Sequence, residues 1–245
     1  MMIEKNIIDN TKVKQVVLLD EVDSTNNYLK ENYEKLKDRT LVVAYKQSSG
    51  RGRLSNKFIS NGGSGLYFSL LSDDLVNTNT MTMISCVAIR QAIYELFEIN
   101  LDIKWINDLL LNKRKVCGIL SENIYEGNVF KVNITGIGIN LFEDKDIQNQ
   151  VEKYGYLFDE KINQEKLLIE IINKIDWYLS NVDDAMKIYL RYSNLVNKKI
   201  LFKNKEDVTI INVNKDLSLE VISNGVIKTI SDDSLFDKEF YYENK

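Results

Sequence analysis

Residues 104–119 read KWINDLLLNKRKVCGI, and this stretch decides what kind of fold the chain adopts. Leu109, Leu110 and Leu111 form a short apolar run, Asn112, Lys113 and Arg114 interrupt it, and Val116 starts a second run that continues toward Asn123. Two apolar runs separated by a few turn-forming residues read as an antiparallel hairpin. Such a hairpin brings Lys104, Asp108 and Lys115 to one end of a sheet. Those charges serve either as edge residues that deter association between strands or as part of a site.

Outward from the hairpin, residues 103–105 read as a preceding strand. Glu126 and Gly127 make a turn, and Val132 and Ile134 alternate with Lys131, Asn133 and Thr135 in a returning strand. The segment TGIGINL, residues 135–141, places two glycines inside an apolar strand, which marks either a bulge or a close approach to the backbone. It lacks the third glycine and the following helix of a dinucleotide fingerprint, and no Walker A sequence occurs. Upstream, residues 41–45 and 66–71 are apolar runs suited to buried strands, and between them lies SSGRGRLSNKF, residues 48–58. Gly50 and Gly52 let the backbone approach a ligand, and Arg51 and Arg53 offer planar cationic forks that match carboxylate or phosphate oxygens. The same composition also suits a solvated basic turn.

Helices are marked by apolar residues three and four apart. Ile84, Val87, Ala88, Ala92 and Leu96 predict one over 79–97. Leu168, Ile171, Ile172, Ile175 and Leu179 predict another over 164–180, with a further one across 183–192. Ser24 and Thr25 carry N-cap chemistry ahead of Tyr28, Leu29 and Leu36. After Asn194 the texture changes to short strands at 199–202, 208–213, 217–221 and 226–230, with turns at 204–207, at 214–216 and at Asn224 with Gly225. The reading is an α+β chain of two parts, residues 1–195 and a small β module over 196–245 that docks on the first.

Composition excludes several classes. Hydrophobic residues at 44% and charged residues at 28% are those of an ordinary globular chain, and no apolar run approaches the ~20 residues of a membrane span. The first ten residues lack a signal-peptide core, so a cytoplasmic location is expected. A net charge of −4 argues against a general nucleic-acid surface. Cys86 and Cys117 are too few for a disulfide scaffold or a structural zinc site and are expected to be buried thiols, so no metal site is assigned. With no histidine there is no Ser/His/Asp triad and no imidazole ligand; proton transfer falls to Lys, Asp, Glu, Tyr or the substrate.

Five segments in order, DSTNNYL (23–29), AYKQSSGRGRLSNKF (44–58), GGSGLYFSLL (62–71), KWINDLLLNKRKVCGIL (104–120) and GIGINL (136–141), resemble the biotin protein ligases. The resemblance runs from about Asp20 to Leu141. It implies a class II aminoacyl-tRNA-synthetase-like domain, a mixed or antiparallel sheet with flanking helices, followed by an SH3-like β domain. With about twenty residues ahead of DSTNN, it is to the monofunctional members without an N-terminal DNA-binding domain.

The implied chemistry has two steps, with biotin, ATP and Mg²⁺ as reactants and activator. Biotin becomes biotinyl-5′-AMP, and a specific lysine of a biotin carboxyl carrier protein or domain of a carboxylase takes the acyl group. By resemblance Arg51, Arg53 and Lys115 face the carboxylate and α-phosphate, where cations in a water-poor site lower the barrier, and Asp108 orients or deprotonates the acceptor lysine. Ser24, Thr25, Asn26, Gln47, Gly50, Gly52 and Gly118 complete the biotin site, with Ser24 and Thr25 serving as caps as well. Phe58, Lys104, Asn107, Asp108, Asn140 and Arg53 attend the nucleotide. Ile106 stands where the family has proline, Phe58 where many members have tryptophan, and Gly62, Gly63 and Gly65 in a region usually written with prolines. Alternatives are a lipoate-type ligase or a biotin-binding regulator that does not transfer. No DNA or membrane partner is implied, and the family includes monomers and homodimers.

Overall fold

The computed structural model describes residues 2–53, 56–202 and 206–231. Among them the chain forms a seven-stranded mixed sheet flanked by helices and a four-stranded antiparallel sheet at the C-terminal end. The element order begins α1 (Met2–Asn10), β1 (Gln15–Val22), α2 (Thr25–Asn32), β2 (Thr40–Gln47), β3 (Gly65–Ser72) and α3 (Thr78–Phe97). There follow β4 (Asp102–Lys104), β5 (Asp108–Leu111), β6 (Arg114–Glu126), β7 (Val129–Asn140), α4 (Lys145–Gln150), α5 (Gln164–Leu179) and α6 (Val182–Ser193). The second sheet is β8 (Lys199–Leu201), β9 (Asp207–Val213), β10 (Leu219–Ser223) and β11 (Val226–Ile230).

The hairpin expected from residues 104–119 is β5–β6. Its turn residues Asn112 and Lys113 both sit at positive φ, 50° and 63°, the left-handed pair a tight two-residue hairpin demands. Trp105 ends the strand expected at 103–105 one residue early and enters the turn before Asp108, across a cis peptide to Ile106. The large sheet runs β1-β2-β3-β7-β6-β5-β4, all neighbours antiparallel except β1 with β2. That parallel pair, and helices α1 and α4, were not expected from the sequence. The turn expected at 204–207 lies partly outside the described residues.

Alternation along β6 and β7 decides which face meets what. Ile119, Ile137 and Ile139 join α3, α5 and α6 in the main core. Leu29 of α2, Val42, Leu71 and Ile134 form a smaller cluster on the opposite face. α3 lies between the sheet and other helices and buries Ile84, Val87, Ala88 and Ile89 completely. The second sheet continues the same core through Val208, Ile210, Leu217 and Leu219. Buried Trp105 donates its Nε1–H to Leu217 O at 2.9 Å, joining the two sheets.

Candidate functional site

The site grows from glycines on the face of the sheet that α2 covers. Across β6 and β7, Gly118 pairs with Gly138 and Leu120 with Gly136. A Cβ on Gly138 would lie 2.5 Å from the Phe58 ring, and one on Gly118 would lie 3.1 Å from that ring and 3.0 Å from Lys115 Nζ. A Cβ on Gly136 would run into Asn26 Oδ1. The two glycines of TGIGINL are therefore close approaches and not a bulge, and the strand register runs unbroken through both.

At one end of this floor Asp108 stands between two ammonium groups, 2.7 Å from Lys115 Nζ and 3.6 Å from Lys104 Nζ. Lys115 Nζ also lies 5.7 Å from the centre of the Phe58 ring, which meets Tyr67 edge-on. The expected convergence of Lys104, Asp108 and Lys115 is present. Asn107 is bound to the β6 backbone: its Nδ2 donates to Ile119 O at 2.9 Å, and Ile119 N–H donates to Asn107 O at 3.0 Å. Asn140 donates to Gly155 O at 3.0 Å and to Lys115 O at 3.3 Å, so both amides hold backbone that frames the site.

At the other end a hydrogen-bonded cluster joins α2 to the sheet. Gln47 Oε1 accepts from Thr25 N–H at 2.9 Å and lies 3.2 Å from Thr25 Oγ1, and Gln47 Nε2 donates to Ser60 Oγ at 2.8 Å. Ser69 Oγ lies 2.7 Å from Thr25 Oγ1 and 2.6 Å from Asn26 Oδ1. Asn26 Nδ2 donates to Leu120 O at 3.2 Å and Glu122 Oε2 at 3.0 Å. Ser24 occupies the N-cap position in extended conformation, but its hydroxyl makes no capping hydrogen bond, and Thr25 turns to Gln47 instead. The capping half of that expectation is corrected: the cluster takes Thr25's hydroxyl.

The arginine loop is held as a flap. Gly52 N–H donates to Asn56 O at 2.7 Å and Phe58 N–H to Gly50 O at 2.9 Å, and a Cβ on Gly50 would collide with Phe58 O. Arg51 forks onto Glu122 at 3.2 and 3.3 Å and donates to Asn27 Oδ1 at 3.1 Å. Arg53 has a buried Nη1 without a hydrogen-bond partner. A cavity of about 370 Å³ is lined by Gly50, Arg51, Gly52, Arg53, Leu120 and Glu122 among others. Lys115 is not part of that lining; its ammonium stays with Asp108.

Glu122 is the member the sequence reading missed, with Ser60 and Ser69. Burial raises the Glu122 carboxyl, but hydrogen bonds from Lys30 and Asn26 and the charges of Lys30 and Arg51 outweigh it and hold the group below its ordinary range. A lone carboxylate in the strand GILSENI, four residues after Gly118, was the available signal. Cys86 and Cys117 are fully buried free thiols whose ionisation burial pushes up, as inert structural cysteines should be. No group of three or more metal-ligating side chains occurs among the described residues.

Residues 18–140 match the model of the biotin/lipoate A/B protein ligase family. The chain is 44% identical over 105 residues to the bifunctional ligase/repressor BirA of Bacillus subtilis, covering 42% of this chain and 32% of that protein. It is 32% identical over 130 residues to the biotin–[acetyl-CoA-carboxylase] ligase of Paracoccus denitrificans, 51% of this chain and 53% of that one. The aligned region thus spans from about a third to about half the length of these curated relatives. A solved biotin protein ligase from Aquifex aeolicus, in complex with biotin and ATP, shares the fold with a TM-score of 0.74 at 24% identity, covering 89% of this chain and 96% of that one. Since the matched region takes in half of the chain and contains the glycine floor, the arginine flap and the Lys–Asp–Lys group, this chain belongs to the biotin/lipoate A/B protein ligase family.

Proposed function

We propose that the chain is an ATP-dependent ligase that activates biotin as biotinyl-5′-AMP and transfers it to a lysine of a biotin carboxyl carrier domain. The observation that carries this reading is the pairing of a glycine floor, Gly118 beside Gly138, with Lys115 and a flap bearing two arginines. Two anions must meet for a carboxylate to attack an α-phosphate, and the surrounding cations Arg51, Arg53 and Lys115 neutralise them. In that step an oxygen–phosphorus bond forms as the bond to the β-phosphate breaks, and pyrophosphate leaves with the magnesium that accompanied ATP. In the second step the acceptor amine attacks the acyl carbon, AMP leaves, and Asp108 takes the amine proton, since the chain has no histidine to do so.

In the same reading Ser24, Thr25, Asn26 and Gln47 receive the ureido ring, while Phe58 lifts from the glycines and stacks on adenine. Closure of the loop that carries Arg51 and Arg53 keeps water from the mixed anhydride. The division at residues 195 and 196 into a catalytic part and a C-terminal β domain, and a cytoplasmic location, belong to this reading too. No helix of the described residues is long and apolar enough to cross a membrane.

The test is incubation with MgATP and either biotin or lipoate, following pyrophosphate release and acceptor labelling. Biotin-dependent pyrophosphate and a biotinylated acceptor are expected; lipoate-only turnover, or biotin binding without pyrophosphate, overturns the reading. Asp108→Ala is expected to slow transfer from preformed adenylate by about 10²-fold, the order of a lost general base, and normal transfer would remove that role. Arg53→Gly is expected to make adenylate but release it, seen as free biotinyl-AMP in the filtrate. Equal retention by variant and parent counts against the closing flap.

A further inference from the structure

We propose that Tyr189 of α6 is a positioning residue for Asp108: its hydroxyl fixes the carbonyl of Ile106 in the turn between β4 and β5, and through that turn sets where the Asp108 carboxylate stands. The inference rests on the ligase reading above and assigns a residue that acts on the reaction only through another.

Lys104 and Asp108 face each other across β4 and β5, so Trp105, Ile106 and Asn107 are the turn that joins them, and the ladder between the two strands stops at that pair. The polar groups of the turn must find partners elsewhere, since Trp105 and Ile106 are each 1% exposed and an unpaired buried carbonyl is costly. Each residue finds one on a different part of the chain. Trp105 Nε1–H donates to Leu217 O, ahead of β10, at 2.9 Å. The Tyr189 hydroxyl donates to Ile106 O at 3.0 Å, and Asn107 exchanges two hydrogen bonds with Ile119 of β6. Isoleucine does not restrict its own φ as proline would, so the turn is fixed from outside.

Tyr189 is fully buried, so its hydroxyl is costly unless bonded, and a phenylalanine would fill the same space without that requirement. Cys86 Sγ lies 3.9 Å from the same carbonyl oxygen, but a thiol is a weak donor and does not replace a phenol. The direction of that carbonyl fixes the peptide plane between Ile106 and Asn107, and only Asn107 separates it from Asp108. Asp108 stands at close tolerance, 2.7 Å from Lys115 Nζ and 3.6 Å from Lys104 Nζ. A reacting group displaced by about 1 Å can lose about 10²-fold in rate, so one hydrogen bond at the turn reaches the chemistry.

The test is a double-mutant cycle on the two half-reactions, adenylate formation followed as pyrophosphate release and transfer followed from preformed biotinyl-AMP. Tyr189→Phe keeps the ring and removes the hydroxyl. It is expected to slow the step that Asp108→Ala slows, by about tenfold, while biotin affinity stays within about twofold of the parent. With Asp108→Ala already present it is expected to add less than about threefold, because the group it positions is gone. A residue that merely supports the fold would lower the urea midpoint and multiply with Asp108→Ala, so a further loss of about threefold or more in the double variant overturns the proposal. A Tyr189→Phe rate within about threefold of the parent overturns it too, as does a loss of biotin affinity as large as the loss of rate. Should Tyr189→Phe not fold, Trp105→Phe, which releases the preceding residue of the same turn from Leu217, takes its place in the cycle. A parental rate there, or an effect that multiplies with Asp108→Ala, overturns the premise that the turn sets Asp108. If Asp108→Ala changes neither half-reaction, Asp108 has no role to be positioned for and the proposal falls; failure of the parent to release pyrophosphate with biotin would instead sink the ligase reading.

Discussion

Phe58 and Gly138 make one contact that shows why the floor is glycine. The ring lies on bare backbone, and a methyl at Gly138 would meet it at 2.5 Å. Gly138→Ala is therefore expected to destabilise the protein by about 1–3 kcal/mol through overpacking, and to do so much less in a Phe58→Ala background. Denaturant unfolding of the four proteins gives the coupling; additive effects would mean the ring does not rest there. At this scale the sequence was informative where chemistry is local. Arg51, Arg53, Lys104, Asp108 and Lys115 are legible because charge beside glycine, or at a hairpin end, is visible in a window of a few residues. Ser69 and Glu122 were not, since one serine in LYFSLL and one glutamate in GILSENI gain meaning only when α2 brings Asn26 between them. Asn107 and Asn140 show the converse: a motif names them, and their side-chain amides are bound to backbone carbonyls.

Between elements, the buried contact of Arg39 with Asp176 fastens the start of β2 to α5, and Asp74 lies 3.7 Å from the same guanidinium. Both partners are about 8% exposed, and Arg39 Nε and Asp176 Oδ2 have no hydrogen-bond partner. Burial raises the Asp176 carboxyl more than Arg39 lowers it. Removing one charge strands the other, so Arg39→Met is expected to lose about 3–5 kcal/mol by urea unfolding, while Arg39→Met with Asp176→Leu recovers most of it. A double variant as weak as the single would show that the pair itself is needed. α3, α5 and α6 were legible because their apolar positions follow the helical period over 12 to 20 residues. β1 was not: QVVLLDEV neither alternates in burial nor has a turn partner, and it enters the sheet by a parallel pairing with β2 on the far side of α2. α4 has six residues and stands on the Asp144 side chain, which accepts from two backbone N–H groups of its first turn, too little signal for periodicity to find.

For the whole molecule, the absence of histidine becomes a statement about pH. Asp38, Glu122 and Asp144 are each raised by burial, yet hydrogen bonds, joined at Asp38 and Glu122 by neighbouring cations, outweigh that and leave them below their ordinary values. A group with a lowered folded value binds fewer protons folded than unfolded, so its stabilisation is present above the ordinary carboxylate range and disappears as pH falls through the folded value. Asp176 has the opposite sign: raised in the fold, it weakens the protein as pH climbs through the carboxylate range and partly offsets the other three at the acid end. On the alkaline side burial raises Cys86, Cys117 and Tyr67, the last to about 12. The unfolded thiols ionise near pH ~8.5 while the folded ones keep their protons, so stability falls as pH rises through that value. Between these limits no imidazole changes charge. The expected profile is a plateau from about pH 5.5 to about pH 8, with losses on both sides. Urea midpoints across that range, with trpyptophan fluorescence as the probe, check it: both Trp105, at the joint of the two sheets, and Trp177 report the same transition if the shared core unfolds as one. A midpoint that slopes steadily between about pH 6 and about pH 7 would mean that a displaced carboxyl such as Asp176, and not an imidazole, titrates there and would overturn the plateau.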